Sequence, residues 1–310
     1  MLKNIIYVTF CLLLQSCISK DIKYEVESEP SKLVLYSILI DGETPQATLS
    51  HSLPPLYTYT EKPYVKNATV LLLENGVVTD TLRYDSAGVY SGRRQWLPQQ
   101  GSFYHFRVTA AGYPDIESKP ELLPKKIRLQ KVEFRDSTNL RFFPSIIGSL
   151  RLKLGAITLD PNNVFAKKSY TYYPTTTIFG ILDYPFYLDE FGASQCERSY
   201  ISNLKKYTFE NVTYDEGFDI IGNSCLNANS VDIDFDFYTH YPLYPYGEPD
   251  SMLVYLYRSN RILSDVAIAS HKQDPDYNKG GETIYIPTNI QNGYGFVTLM
   301  TKDSTIVKLR

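Results

Sequence analysis

Apolar and polar residues alternate with a two-residue period along much of this chain, which is the pattern of β-strands that bury one face. Residues 149–154 and 231–238 show the alternation most clearly, whereas Leu33–Ile40 is a nearly continuous apolar run, as in a central strand. Asn75 and Gly76 separate two further apolar segments, and this dipeptide is the strongest short signal for a hairpin turn. The pattern therefore predicts a mainly β chain.

A helical period is predicted only near the C-terminal end, at about residues 250–271, where apolar residues recur on one helix face. Asp250 or Ser251 is predicted to cap this long helix by accepting a hydrogen bond from its free backbone N–H groups. The helix is expected to cover an edge or an end of a β-sheet. Its predicted apolar face consists of Leu253, Leu256, Leu263, Val266, Ala267 and Ser270.

The spacing of turns divides the chain into two β-rich domains. Residues 32–124 contain short strands at regular intervals with turn residues between them, which predicts a β-sandwich. Residues 125–310 are predicted to form a larger β-rich domain that carries the helix. Within it, residues 160–230 are predicted to be irregular apart from weak strands at residues 169–173 and 206–209. The last strands are predicted at residues 283–286, 294–301 and 305–309.

The N-terminus has the layout of a secretory signal, with Lys3 followed by an apolar run over residues 5–14 and small residues at the cleavage point. The run is shorter than the ~20 residues that a membrane-spanning helix needs. A cysteine directly after a small residue resembles a lipobox, so residues 1–16 are predicted to be removed and Cys17 to be lipidated. Residues 17–31 are then a polar tether. A plain secretory signal with an incidental cysteine is the alternative.

Composition and charge exclude several functions. The formal net charge is −3, and a mildly acidic chain argues against binding nucleic acid, whose phosphates attract basic patches. The four histidines are scattered, and neither a His-Glu-x-x-His metal motif nor a Gly-x-Ser-x-Gly elbow occurs. We therefore expect no enzymatic activity, no cofactor and no metal. The 27 tyrosines favour strands and wet recognition surfaces, because the tyrosine ring is apolar and its tip is polar.

Two cysteines remain for the folded part of the exported chain, Cys196 and Cys225. An oxidising compartment permits a disulfide between them, and closing a loop of this size would stabilise the fold by roughly 3 kcal/mol. A shared metal is the weaker alternative, because no histidine or third cysteine lies near either one in sequence.

Three carboxylates, Asp232, Asp234 and Asp236, lie on one face of the strand predicted over residues 231–238. Carboxylate oxygens are the ligands that Ca²⁺ prefers. Neighbours two apart on a strand are about 6–7 Å apart, which is too far for all three to share one ion without other loops. We therefore favour a charged strand face that resists edge-to-edge pairing.

The richest aromatic loop follows that strand. It carries Tyr238, Tyr241, Tyr244 and Tyr246 together with stiffening prolines. Rigid tyrosines offer contact area at low entropic cost, which suits a sugar ring, a peptide or a protein partner. The alternative is a loop that packs over the sheet and the helix start.

Several short motifs, taken in order, resemble known proteins. Those of the first domain are similar to the immunoglobulin-like or carboxypeptidase-regulatory-like repeat. Together with the lipobox they resemble a Bacteroidota surface-lipoprotein family, domain of unknown function 4249 (DUF4249). The resemblance touches both ends of the chain and departs from the pattern over about residues 137–230. The motifs are residues 65–72, 88–90, 101–104, 111–113 and 288–296.

This resemblance implies an immunoglobulin-like first domain and an outer-membrane lipoprotein that is held by its N-terminal lipid. Lys20 and Asp21 resemble part of the signal that exports such lipoproteins to the cell surface. The expected role is a surface binding or accessory subunit that works beside a TonB-dependent transporter. A structural or adhesive envelope lipoprotein without a small-molecule ligand is the competing hypothesis.

Overall fold

The computed structural model describes residues 30–53, 63–136, 147–154, 162–173, 176–180, 198–209, 212–221, 232–238, 251–273 and 284–308. Within these residues the chain forms eighteen strands and one α-helix. The prediction of a mainly β chain with one helix is confirmed. The immunoglobulin-like topology and the division at residue 124 stay predictions.

The strands of the first segment follow one another at short intervals, joined by turns. They are β1 (Leu33–Ile40), β2 (Gln46–His51), β3 (Ala68–Glu74), β4 (Val77–Ser86), β5 (Val89–Ser91), β6 (Phe103–Ala110), β7 (Ile116–Ser118) and β8 (Glu121–Leu122).

The rest of the chain contains longer strands and the helix. They are β9 (Leu129–Asp136), β10 (Ile147–Leu154), β11 (Asn163–Tyr173), β12 (Thr176–Gly180), β13 (Arg198–Phe209), β14 (Val212–Ile221), β15 (Asp232–Tyr238), β16 (Ser251–Asn260), α1 (Ile262–Gln273), β17 (Ile290–Gln291) and β18 (Tyr294–Lys308). Residues 160–230, predicted to be mostly irregular, thus contribute four of these strands, because β11 to β14 pair with one another and with β16.

Fifteen strands belong to one sheet, whose order is β13-β14-β11-β16-β18-β1-β2-β5-β4-β3-β6-β7-β17 with β12 and β8 at its sides. The sheet folds over at β4, because the first half of β4 pairs with β3 and its second half pairs with β5. This fold produces a short layer, formed by β3, β6, β7, β8, β17 and the first half of β4. The remaining strands form a long layer.

The two layers enclose the larger apolar core. In β1 every second residue is buried, from Leu33 to Leu39, and these side chains meet Phe106 and Val108 of the short layer. Tyr90, Tyr104 and Trp96 fill the same core. Burial of this alternating face is the main stabilising term, at about 25 cal/mol per Å² of apolar surface.

A second core lies on the opposite face of the long layer, under α1. Leu263, Val266 and Ala267 of the helix pack with Phe296 and Met300 of β18. The neighbouring residues Val297 and Leu299 point into the first core instead. Strand β18 is therefore buried on both faces, which explains why apolar residues occupy both of them, while the buried Thr298 between them shares a hydrogen bond with Ser259 at 2.9 Å.

The first and last strands of the chain lie side by side. β1 and β18 pair in parallel, from Val34 opposite Tyr294 to Ile40 opposite Met300. A parallel neighbour of the first strand must come from elsewhere in the chain, since a short hairpin gives only an antiparallel pair. The end of the chain thus completes the sheet that its beginning starts.

Two glycines permit the close approach of β18 to β1. A Cβ at Gly293 would lie 2.7 Å from the Leu33 carbonyl oxygen, and one at Gly295 would overlap the Leu35 carbonyl group. Gly295 also has a φ of +100°, which side chains with a Cβ rarely adopt. These glycines belong to the motif at residues 288–296.

Side chains of two asparagines replace a missing strand beside β18. Pairing with β16 ends at Ser259 opposite Met300. Beyond that point, the Asn289 amide accepts from Val297 N at 2.9 Å and donates to Val297 O at 2.8 Å. Asn260 accepts from Leu299 N at 3.1 Å and donates to the Leu122 carbonyl at 3.0 Å. Both amides are buried, so they satisfy backbone groups that water does not reach.

The predicted turn at Asn75 and Gly76 is confirmed. The two residues have φ values of 49° and 82°, as a two-residue hairpin of the favoured twist requires, and β3 and β4 pair on either side. Ala87 and Gly88 form a second turn with both φ values positive.

The helix prediction over residues 250–271 is wrong in its first half. Ser251–Asn260 is strand β16, and it lies between β11 and β18 in the long layer. Val254 and Leu256 are fully buried there, so two strand partners outweigh the helical spacing. Ser251 consequently starts a strand and caps no helix, while Asp250 lies outside the described residues.

The observed helix α1 starts one residue after Arg261. Its first turn is set by the Arg261 carbonyl, which accepts from Ser264 N at 2.9 Å and from Asp265 N at 3.2 Å. Asp265 places a carboxylate in the first turn, where the helix dipole favours it, and pairs with the Arg261 side chain at 3.3 Å. Of the predicted apolar face, Leu263, Val266 and Ala267 are buried, but Ser270 is exposed.

The C-terminal strands also differ from the prediction. Residues 284–289 form no strand, and the two strands predicted over residues 294–301 and 305–309 are one strand, β18. It is this long because β1 pairs with its first half and β16 with its second.

Candidate functional site

Most residues of the predicted sites lie outside the described part of the chain. These are Cys17, Cys196, Cys225, Tyr241, Tyr244 and Tyr246. Tyr238 is the last residue of β15, and its backbone is opposite Ile147 of β10. The lipidation, the disulfide and the tyrosine recognition loop therefore stay predictions.

The three aspartates over residues 232–236 are placed by strand register. β15 is an outer strand of a three-stranded sheet, β15-β10-β9. Asp232 is opposite Lys153 and Asp234 is opposite Arg151 on β10. Opposite charges across a strand pair are stabilising, which favours the charged outer strand over the calcium site.

The chain enters the two-layer unit at one end, here called the anchor end. Residues 30–32 lead into β1 there, and Lys32 is held by backbone and side-chain hydrogen bonds to Ser52, at 2.8 and 2.9 Å. The ring of His51 stacks on Tyr113 at the same end, with ring centroids 6.1 Å apart. β1 runs from this end to the opposite one, here called the far end.

Three turns meet at the far end. Gly42 follows β1 and donates its N–H to Trp96 O at 2.8 Å, while Trp96 N donates to Glu43 O at 2.8 Å. The Trp96 ring meets Tyr104 edge-on, with centroids 5.0 Å apart. The loop before β6 is therefore fixed to the β1–β2 turn and to the core at once.

Asn75 fixes the third turn. Its N–H donates to Phe103 O at 2.8 Å, its side-chain oxygen accepts from Phe103 N at 3.0 Å, and its amide donates to Ser102 Oγ at 3.1 Å. The tip of the β3–β4 hairpin is thus held against the start of β6. Such contacts give the far end a fixed shape.

Tyr104 lies in the core beneath this end and contacts the loop before β6. Burial, together with the nearby Glu74 carboxylate, raises the pKa of Tyr104 to about 12, and its hydroxyl accepts a hydrogen bond from Gln99 N at 2.8 Å. The phenol is therefore protonated at neutral pH and serves as a neutral hydrogen-bonding group in the core.

Large apolar side chains are exposed at the far end. Phe103 and Leu122 are directly opposite each other on β6 and β8, so they form one exposed pair. Val77 and Val78 follow the Asn75 turn, and Leu97 follows Trp96. Their exposed fractions are Val77 68%, Val78 46%, Leu97 76%, Phe103 46% and Leu122 45%. We call these five residues the far-end apolar patch.

The patch was not predicted from the sequence. Two valines directly after an Asn-Gly turn interrupt the alternation, and that was the only signal available for this site. The five side chains come from turns and strand ends grouped at one end of the fold, and clustered exposed apolar surface marks interaction sites. The other large apolar side chains that are exposed in the described ranges are outside this patch, at Tyr84, Tyr285, Tyr294 and Ile306.

Two basic side chains of the short layer, His105 and Arg107, share one carboxylate partner. His105 is buried on the short layer, and its Nε2 lies 2.9 Å from Glu117 Oε1. Arg107 pairs with the same carboxylate at 3.2 Å. Across the described residues, no group of three or more His, Cys, Asp or Glu side chains could hold a metal ion. No helix in that part of the chain is long and apolar enough to cross a membrane.

One protein-family model matches almost the whole chain. It carries the description "Domain of unknown function (DUF4249)" and matches residues 19–306. No curated protein matches.

Several solved structures share a distant likeness. A DUF4785 family protein from Legionella pneumophila is 9% identical, with 73% of this chain and 50% of that chain covered and a TM-score of 0.22. Escherichia coli alpha-2-macroglobulin activated by porcine elastase is 8% identical, with coverages of 74% and 18% and a TM-score of 0.23. The native conformation of the same Escherichia coli protein is 9% identical, with 76% of this chain and 14% of that chain covered and a TM-score of 0.21. This chain thus spans half or less of these proteins, and such scores carry no argument about function.

Proposed function

This chain belongs to the DUF4249 family, a domain of unknown function, and from that premise we propose that it is a lipid-anchored surface binding subunit of the outer membrane. Its partner in this proposal is a membrane protein, in particular a TonB-dependent transporter that it assists. A structural or adhesive envelope lipoprotein is the competing proposal.

The separation of the anchor end from the far-end apolar patch carries this proposal. A lipid on Cys17 would hold residues 30–32 toward the membrane, and β1 spans about 26 Å from there to the far end. A tether over residues 17–31 reaches at most roughly 50 Å. The patch thus lies at the end opposite the attachment of the tether, and the reach of the tether allows it to face away from the membrane, where a partner's surface can cover it.

The anchor is tested by Cys17→Ala. A buried acyl chain contributes about 0.8 kcal/mol per CH₂, so we expect the variant to be exported but lost from the membrane fraction. Membrane fractionation after a salt wash measures this, and Cys11→Ala is the control, since that residue lies in the predicted signal. If the Cys17→Ala variant stayed in the membrane fraction as fully as the wild type does, in cells that lack the partner, the result would contradict lipid anchoring.

The patch is tested by a photo-crosslinking amino acid at position 97 in living cells. We expect a crosslink to a membrane protein, because Leu97 is the most exposed member of the patch. Ile306, which is 65% exposed and lies outside the patch, is the matched control position. Mass spectrometry of the adduct identifies the protein.

The outcomes of this crosslinking separate the two hypotheses. Adducts only with further copies of this chain would favour the structural or adhesive alternative. Equal crosslinking at positions 97 and 306 would contradict a binding role for the patch. The tyrosine loop at residues 238–246 stays a second proposed surface, for a glycan or a peptide.

A further inference from the structure

We infer that the far end binds an acidic protein surface that carries apolar side chains at its centre. The inference deepens the proposed function and rests on it, because it states the chemistry of the partner at the same patch. It is carried by four exposed cations that adjoin the patch, Arg93, Arg94, Lys125 and Arg128.

Arg93 and Arg94 lie on one side of the β1–β2 turn. Gly92, just before them, donates its N–H to Pro45 O at 2.8 Å, and Trp96, just after them, is fixed to Glu43. Both arginines are exposed, and Leu97 of the patch follows within the same loop.

Lys125 and Arg128 lie on the other side, in the segment that follows Leu122. The Lys125 carbonyl accepts a hydrogen bond from Thr301 Oγ1 at 3.3 Å, and Leu129 N donates to Asp303 at 2.8 Å. Between the two cations, Ile127 is buried, so this segment is fixed to the sheet while both charged side chains face solvent.

The carboxylates of this end already have partners. Asp41 pairs with Lys126 at 2.6 Å, and Glu43 pairs with Lys302 at 2.8 Å. Asp80 accepts hydrogen bonds from the backbone N–H groups of Thr81 and Arg93, at 2.8 and 3.4 Å.

Two further carboxyl groups at this end are partly buried. Glu121 accepts a hydrogen bond from the Asn289 amide at 3.1 Å, and burial raises its pKa above the usual range. Glu74 lies beside the Tyr104 hydroxyl.

The four cations, by contrast, form no ion pair among the described residues. The cations and the carboxyl groups named at this end are equal in number, six of each, but the residues among them that are exposed are all cations, whereas the carboxyl groups are buried or only partly exposed. Unpaired charge around an apolar centre is the usual arrangement of an interface, since the rim steers the partner and the centre supplies affinity.

An anionic lipid surface would also attract exposed apolar and basic side chains. A protein is favoured, because bringing the far end to the membrane would require the tether to run back past β1, which takes about 26 Å of its roughly 50 Å reach. Binding of the far end to an anionic lipid surface would therefore overturn the inference.

The test uses the purified full-length chain in detergent and a short fluorescent peptide of alternating glutamate and leucine. We expect binding, measured by fluorescence anisotropy, that weakens by about tenfold in Arg93→Glu/Arg94→Glu and in Leu97→Ser. Lys66→Glu, at an exposed lysine of the anchor end, is the control and should bind as the wild type does. Raising the salt from about 0.05 M to about 0.3 M should also weaken binding severalfold.

Three results would overturn the inference. They are equal binding of a matched lysine–leucine peptide, unchanged binding in both far-end variants, or co-sedimentation of the chain with vesicles of about one third anionic lipid through these same residues. A crosslink from position 97 to a membrane protein, together with no preference for the acidic peptide, would refute the partner's acidity and leave the proposed function intact. Absence of that crosslink would instead remove the proposed function.

Discussion

Gly295→Ala is expected to lower the free energy of unfolding by about 3 kcal/mol or more. The new Cβ would overlap the carbonyl group of Leu35, its direct partner on β1, and the left-handed backbone at φ +100° adds strain. Overpacking costs about 1–3 kcal/mol and an alanine in left-handed backbone about 1–2 kcal/mol. Both effects act on the pairing that joins the two ends of the chain.

Urea unfolding followed by circular dichroism measures this loss. Gly76→Ala is the matched control, because Gly76 has a φ of +82° but nothing within 4 Å of an added Cβ. The control should lose about 1–2 kcal/mol from backbone strain alone. Similar losses in the two variants would show that the close approach of β1 and β18 is unimportant for stability.

Asn289→Ala is expected to have the second largest effect, also about 3 kcal/mol. The variant leaves the N–H and carbonyl groups of Val297 buried without partners, and each such group costs about 1–3 kcal/mol. It also removes the hydrogen bond to Glu121, which connects β8 to β18. We expect a lower unfolding midpoint and faster amide exchange at Val297.

Asn67→Ala is the control for this variant, since Asn67 is an exposed asparagine in another of the sequence motifs. Surface substitutions of this kind usually change stability by less than about 0.5 kcal/mol. Asn289→Asp is a further check, because a carboxylate still accepts from Val297 N but cannot donate to Val297 O. If the Asn289 and Asn67 variants unfolded alike, the asparagine would not act as a strand substitute.

Local chemistry predicts the turns and first strands of this fold well. The positive φ values at Asn75 and Gly76 depend on two adjacent residues, and the sequence contains both. The apolar run Leu33–Ile40 likewise predicts β1 as a strand, although it does not indicate which face meets the larger core, since both faces carry apolar residues.

Residues 251–260 show where such reasoning fails. Leucines three residues apart fit a helix, but this segment is inserted between β11 and β18, and two sets of backbone partners decide its conformation. Strand partners from distant parts of the chain leave no local mark in the sequence, so helical spacing alone misassigned β16.

The far-end apolar patch was missed for a related reason. Phe103 and Leu122 become one exposed pair only through the register of β6 with β8, which the sequence does not state. Leu97 is exposed because Trp96 beside it takes the place in the core. When two apolar residues are adjacent in sequence, as Trp96 and Leu97 are, the sequence does not indicate which of the two is buried.

The parallel pairing of β1 with β18 has a mechanical consequence. Drag on a protein held by a lipid at Cys17 would pull on residues 30–32, along the axis of β1. β1 is flanked by β18, over seven residue pairs, and by β2, over four. Because the pull is parallel to both neighbours, their hydrogen bonds would carry the load together in shear, and rupture would require them to break at once. The same strand at a sheet edge, pulled sideways, would open one bond at a time.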